Sequence, residues 1–474
     1  MTNILSIALL GILALCSGCI KNTMPHPDKL TYPPLIYNPP LPERIELSNG
    51  MTVFLLPDHH LPRIEVTALI RTGSAYDPAD RAGLAVVTGT LLRTGGTKTI
   101  SPETFDAQID ACGAHIDVAV NAEDTVATLW TLSEDFNTIF PLFAAMLMEP
   151  AFDSAKLSLA KNNLSQSLRQ IPDAPQQFAS REFKKILYAN NPRGNLPTIA
   201  SVQRITHSDI KNFHSLYFNP CNIYLGISGD FSKENILATL HNTFSVWRKS
   251  SLRIPALPTP LSPRETELYQ VQKDLPQTTI IAGHLAPAKS DADYCAFQIL
   301  DYIIGSGGFS SRLMSQIRTA RGLAYSVGSF YRASIDYGVF AMYCSTKSSS
   351  TYEALELLRS VISTIANNPP TEEEITQAKD ALINNFIFSC ESPQQILMQH
   401  MMIAFDNLPS DFYSTMPQRL QAVTQNDIQR VAHKWLKPDA MTILILGNAH
   451  KFDTPPPSLS NIPVQFISSD ILSE

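Results

Sequence analysis

No dense block of Lys or Arg occurs anywhere in the 474 residues, and the net charge is a mild −7. Nucleic-acid binding therefore has no electrostatic footing, because such proteins present a clustered basic surface to phosphates. No apolar run is long enough to span a bilayer. The most apolar stretch, residues 4–15, is well short of the roughly 20 residues that about 30 Å of hydrocarbon requires. Cysteine is sparse. Beyond residue 20 there are only Cys112, Cys221, Cys295, Cys344 and Cys390, odd in number, widely spaced and without a CxxC pair. That argues against a disulfide framework and a cysteine zinc site, and leaves buried free thiols as the default. The Gly-Lys-Ser/Thr ending of a phosphate loop is missing, and nothing resembles a nucleophile elbow.

What is present divides the chain. The apolar run ends in Cys16-Ser17-Gly18-Cys19. This fits the apolar region of a secretory signal and resembles a bacterial lipobox. Residues 1–19 then read as a lipoprotein signal peptide with lipidated Cys19. An ordinary signal or short anchor is the alternative. Ile20 is not an aspartate, which by resemblance to lipoprotein sorting points to the outer membrane, facing the periplasm. Prolines crowd residues 20–42, an extended tether, and residues 251–265, a linker. They separate a part at 43–250 from another at 266–450, with a polar tail at 451–474 after the last strand signal.

The two parts echo each other. Thr206 and Thr424, Asp209 and Asp427, Pro220 and Pro438, Gly229 and Gly447 all share an offset of 218. Each block reads as a helix capped by Thr, a proline turn and a strand. Strands are expected at 51–56, 64–70 and 277–283, and helices near 81–94 and 291–304. The class is α+β: two similar duplicated domains, each a mostly antiparallel sheet packed with helices.

Residues Gly307-Gly308-Phe309-Ser310-Ser311-Arg312-Leu313 run into Ile317-Arg318-Thr319-Ala320-Arg321-Gly322-Leu323-Ala324-Tyr325. This closely resembles the C-terminal domain of the insulinase/pitrilysin zinc peptidases. In the first half, Arg71-Thr72-Gly73-Ser74-Ala75-Tyr76 with Gly83-Leu84-Ala85 resembles the approach to that family's zinc helix. The resemblance covers roughly residues 40 to 450 and implies the family's half-clam fold. It also implies that Arg318 and Tyr325, at the family's spacing, contact bound peptide.

The chemistry departs from that pattern. In the inverted zincins an H-x-x-E-H helix supplies two zinc ligands and the base, and a distal Glu completes the set. Aligned on Gly83-Leu84-Ala85, the ligand positions hold Val86 and Thr90, the base position Gly89 and the distal position Ser167. Val has no donor atom, and neutral Thr or Ser hydroxyls are poor zinc ligands. His59-His60 precede Pro62 in a turn and read as exposed loop histidines; the remaining His are scattered singly, in surface or capping roles.

Helix Ser310–Ala320 is expected to end near Arg318, with a strand over Leu323–Phe330. The pair can hydrogen-bond a peptide carbonyl, or serve only to complement a helix end and to pack. Gly305, Gly307 and Gly308 fit either a substrate-contacting loop, as in the resembling noncatalytic processing-peptidase subunit, or a plain helix C-cap. The resemblance thus implies an inactive homologue with no cofactor of its own: the substrate-binding subunit of a two-chain metalloendopeptidase whose zinc resides in an HxxEH-bearing partner. The alternatives are a non-enzymatic structural or protein-binding envelope lipoprotein and, third, an enzyme with an unrecognised metal site.

Overall fold

The computed structural model describes residues 39–249, 254–263 and 265–468. The Cys19 lipidation and most of the 20–42 tether lie outside these residues, as do parts of the 251–265 linker and of the 451–474 tail.

Twelve strands among the described residues form two six-stranded sheets. The first comprises β1 (Glu43–Glu46), β2 (Thr52–Pro57), β3 (Arg63–Ile70), β4 (His115–Val120), β5 (Thr125–Leu132) and β6 (Ile223–Gly229), in the order β1-β2-β6-β3-β5-β4. The second comprises β7 (Glu267–Gln272), β8 (Gln277–Ala286), β9 (Ala324–Ala333), β10 (Gly338–Lys347), β11 (Thr442–Gly447) and β12 (Val464–Ile467), in the order β12-β7-β11-β8-β10-β9. Five strands correspond in order and pairing direction between the sheets: β2 with β7, β6 with β11, β3 with β8, β5 with β10 and β4 with β9. Most pairings are antiparallel; the β2/β6 and β7/β11 ladders are parallel. The α+β class and the duplication therefore stand. The outer strands differ, since β1 lies antiparallel to β2 whereas β12 lies parallel to β7. The segment after the last strand signal is thus not merely a polar tail: it supplies β12. Its short Val464-Gln465-Phe466-Ile467 run, with Phe466 exposed, carries little apolar periodicity.

The repeat is structural. Thr206 caps helix His207–Tyr217 and Thr424 caps helix Gln425–Trp435, each in a reciprocal box with Asp209 or Asp427. Thr Oγ1 donates to Asp Oδ2 at 2.6 Å in both. Both boxes satisfy backbone N–H groups that a helix start leaves unpaired. The 218 offset also relates helix Ser154–Gln170 to Glu372–Phe388 and helix Pro175–Leu187 to Pro393–Asp406. Pro175-Gln176-Gln177 recurs as Pro393-Gln394-Gln395, an echo outside the blocks compared above.

One face of each sheet carries the helices that follow it in sequence, forming the two main cores. The other face is covered by exchange. Helix Pro175–Leu187 leaves the first half and packs Phe178, Phe183 and Leu187 on Ile281, Val339 and Leu444 of the second sheet. Helix Pro393–Asp406 returns the arrangement, setting Leu397, Met401 and Phe405 on Phe54, Leu56 and Leu69 of the first. Gly226 of β6 is required there, because a Cβ would stand 2.6 Å from Leu397 Cδ2. A buried Leu or Phe contributes roughly 1.5–3 kcal/mol, so each exchanged helix ties the halves together by several. Lys289 pairs with Asp406 at 2.7 Å, and the Arg71 guanidinium donates to Phe405 O while lying 4.0 Å from its ring centroid.

Some local expectations change. Only Cys295 and Cys344 of the five cysteines are buried; Cys221 is exposed. Helix 291–304 begins at Tyr294 and widens after Asp301 into π-type turns through Ser306. His284, expected at the surface or as a cap, is fully buried in β8, accepting from Lys437 N–H through Nε2. Burial holds its pKa down at about 4.

Candidate functional site

The first-half motif builds a helix scaffold. Gly83, at φ 103°, turns the chain into helix Leu84–Thr94, a conformation that costs a residue with a Cβ. Asp77 caps that helix from outside: its two oxygens accept from Gly83 N at 2.7 Å and Ala85 N at 2.8 Å. Burial pushes the Asp77 carboxyl up to about 7, against the pull of these bonds. The preceding loop is fixed to the β4–β5 hairpin, with Ser74 N and Ala75 N donating to Asn121 O and Ala122 O at 3.0 and 2.8 Å. Gly73 permits the approach, since a Cβ would lie 2.5 Å from Asn121 O.

The chemistry that such a helix would carry is absent. Val86 is half-buried and Thr90 exposed, and Thr90 Oγ1 donates to Val86 O at 2.9 Å. Ser167, exposed on helix Ser154–Gln170, donates to Asn163 O at 3.0 Å. That helix packs against Leu84–Thr94, but both hydroxyls have turned back onto their own helices. Gly89 is buried under β4: an added Cβ would stand 2.5 Å from Val120 Cγ2 and 3.4 Å from Val118 Cγ1. The base position therefore lacks room for a side chain as well as the side chain itself. These residues do not fit a zinc ion, and among the described residues no three His, Cys, Asp or Glu converge as a metal site.

Strand β4 is one edge of the first sheet, β1 being the other. Arg93, in the last turn of the same helix, donates from Nε to Ile116 O on β4 at 2.8 Å and from Nη1 to Asp106 at 2.6 Å. An outward carbonyl of the edge is thereby occupied from within the chain.

In the second half, Arg318 and Tyr325 are both exposed, Tyr325 by 52%. Arg318 lies in the final π-type segment, Met314–Thr319, which Gly322 ends in the left-handed region by donating to Arg318 O at 3.0 Å. The guanidinium extends over Phe309, 5.9 Å from the ring centroid. The strand begins at Ala324, and Tyr325 is the extra residue of a β-bulge: Ser326 faces Ser345 while Ala324 faces Thr346. Bulges on edge strands re-aim a side chain, which is how Tyr325 reaches solvent. Gly307 and Gly308 form a hydrogen-bonded turn, with Gly307 N donating to Tyr302 O at 2.9 Å and Gly308 at φ 63°. The helix expected from Ser310 instead starts after Ser311, and the turn leaves Phe309 82% exposed at its tip.

His59 and His60 are exposed and each meets a carboxylate, Asp230 and Asp58 respectively. Sequence reasoning gives no sign of a buried network joining the halves. Arg193, nearly inaccessible, donates to Glu123 at 2.8 Å and to Pro258 O at 2.6 Å, and Tyr337 OH donates to Glu123 at 3.0 Å. These residues lie up to 214 positions apart, so no local pattern marks them.

Comparisons with known proteins find similar families, chains and folds. The family model described as insulinase (peptidase family M16) matches residues 53–198, and the one described as peptidase M16 inactive domain matches 204–382. An uncharacterized zinc protease of Rickettsia felis is 25% identical over 351 residues, 73% of this chain and 83% of its own length. A Helicobacter pylori protein named as a non-peptidase homolog is 25% identical over 402 residues, 83% of this chain and 91% of its own. Among solved structures, a peptidase M16 inactive domain from Pseudomonas fluorescens aligns with a TM-score of 0.79 at 24% identity, covering 87% of this chain and 99% of that one. A protease from Helicobacter pylori aligns with a TM-score of 0.77 at 21% identity, covering 86% and 100%.

Proposed function

Because this chain belongs to the insulinase family of peptidases, family M16, and is an inactive homologue within it, we propose that it is the substrate-binding, noncatalytic subunit of a two-chain metalloendopeptidase acting on peptides. The observation that carries the reading is an intact metal-helix scaffold whose four chemical positions, Val86, Gly89, Thr90 and Ser167, neither hold zinc nor activate water. The exposed Arg318 and Tyr325, with Phe309 beside the former, supply guanidinium and phenol donors for a peptide backbone. Zinc and the general base come from a homologous partner carrying HxxEH. Lipidation at Cys19 holds the assembly at the periplasmic face of the outer membrane, with residues 20–42 as tether.

A second reading, a protein-binding or structural envelope protein on the same fold, draws on Arg93. Its bond to Ile116 O occupies the sheet edge to which an extended peptide would otherwise add. Purification of the C-terminally tagged chain from native membranes distinguishes the two. An HxxEH homologue recovered near one to one, with peptidase activity that falls in Arg318→Ala and Tyr325→Phe, supports the subunit reading. Recovery of the chain alone, or activity unchanged in both variants, defeats it.

A further inference from the structure

A cavity of about 550 Å³ lies between the two halves, away from the vestigial metal helix. That size suits a small organic molecule, since ligand pockets run from roughly 300 to 1,000 Å³. Its walls are apolar: Phe183 and Leu187 of the exchanged helix Pro175–Leu187, Ile281 and Val339 of the second sheet, and Phe330 of β9. Three cations line it, Lys184, Arg193 and Arg332, against two carboxylates, Glu123 and Asp124.

The carboxylates are already engaged. Glu123 accepts from Arg193 and Tyr337. Asp124 accepts from Asn121 Nδ2 at 2.7 Å, and burial raises its pKa. Among the described residues, Lys184 and Arg332 make no hydrogen bond and no ion pair through their side chains; Arg332 only lies over Phe330, 5.6 Å from the ring centroid. Burial depresses the Lys184 pKa and neighbouring Arg181 adds to the effect, while the more distant Glu123 charge opposes it. A partly desolvated ammonium that makes no direct ion pair is unfavourable, and an anion placed beside it restores the lost solvation.

From this arrangement we infer that the inter-half cavity is a binding site for a small monocarboxylate with an apolar body, either a free arylalkanoic acid or the C-terminal residue of a short peptide. The carboxylate sits between Lys184 and Arg332 and the body lies along Phe183, Phe330 and Val339. A phosphate dianion fits less well. Its desolvation is costlier, and the apolar walls offer it nothing. The site is independent of the subunit reading, and failure of either leaves the other standing.

The test is calorimetric titration of the purified chain at pH 7 with 3-phenylpropionate and, in parallel, with 3-phenylpropionamide. The acid is expected to bind about tenfold or more tighter than the amide. Lys184→Met, which keeps the apolar stem, and Arg332→Gln should each remove most of that difference, and added salt should narrow it. Equal affinity for acid and amide overturns the inference, as does the absence of binding heat or an undiminished preference in both variants. Arg332 is exposed, so its variant remains informative if Lys184→Met does not fold. The source is decided by acetyl-Ala-Phe: tighter binding than 3-phenylpropionate assigns the cavity to peptide C-termini, equal or weaker binding to free acids.

Discussion

The loss of the base position is steric as well as chemical, and that claim can be weighed. Gly89 has ordinary helical backbone, absent from the positive-φ glycines. Replacing it by Ala in open space would therefore stabilise the helix by about 0.5–1 kcal/mol. Here the new Cβ arrives 2.5 Å from Val120 Cγ2, and overpacking of that kind costs about 1–3 kcal/mol. Gly89→Ala should thus destabilise the protein by roughly 0.5–2 kcal/mol. In a Val120→Ala background the nearest atom becomes Val118 Cγ1, at 3.4 Å, an ordinary contact. The same Gly89→Ala change should then stabilise. A double-mutant cycle by denaturant unfolding reads the coupling directly, at about 1–3 kcal/mol favouring the double variant. If Gly89→Ala stabilises with Val120 present, or if the two changes simply add, Val120 does not fill the base position. The same clash predicts that Val86→His, Gly89→Glu, Thr90→His and Ser167→Glu together do not rebuild a tight zinc site unless Val120 is also reduced.

Arg193→Met strands the Glu123 carboxylate in a largely buried setting and should cost about 3 kcal/mol, read as a lowered unfolding midpoint; a change within error would mean that the inter-half pair contributes nothing net. Thr206→Ala and Thr424→Ala should each cost about 1 kcal/mol and add in the double variant, because the two capping boxes start helices in separate halves. Asp301, buried beside Ser329 Oγ at 2.5 Å, has a carboxyl raised by burial to about 6 from an unfolded value of 3.8. The folded state therefore holds the proton more tightly: the group's contribution is complete below about pH 4 and is lost as pH rises through about 6. Relative to Asp301→Asn, the natural protein should lose on the order of 3 kcal/mol across that window; parallel stability curves would refute this. The purified chain, analysed for metal after dialysis against zinc, should hold far less than one equivalent.

How far the sequence reaches is visible residue by residue. The 218-residue echo and the Thr caps were legible because each depends on neighbours within a few positions, as a capping box does. The vacancy of the metal site was legible because donor chemistry belongs to residue type: no fold gives Val86 a lone pair. Gly307 and Gly308 were recognisable as a turn, but not the 82% exposure of Phe309 between that turn and Arg318.

The sequence by itself therefore determined the family scaffold, the duplication and the missing chemistry, each written in local spacing or side-chain identity. Only the tertiary structure decided what the apolar faces meet. Periodicity shows that helices Pro175–Leu187 and Pro393–Asp406 bury one side, but the pattern is the same whichever sheet receives it; that each crosses to the opposite sheet is set by pairings such as Leu397 with Phe54. In the same way, Val120 over Gly89, Tyr325 in its bulge and the cations around the inter-half cavity depend on residues far apart in the chain, whose meeting is fixed by packing the whole core at once.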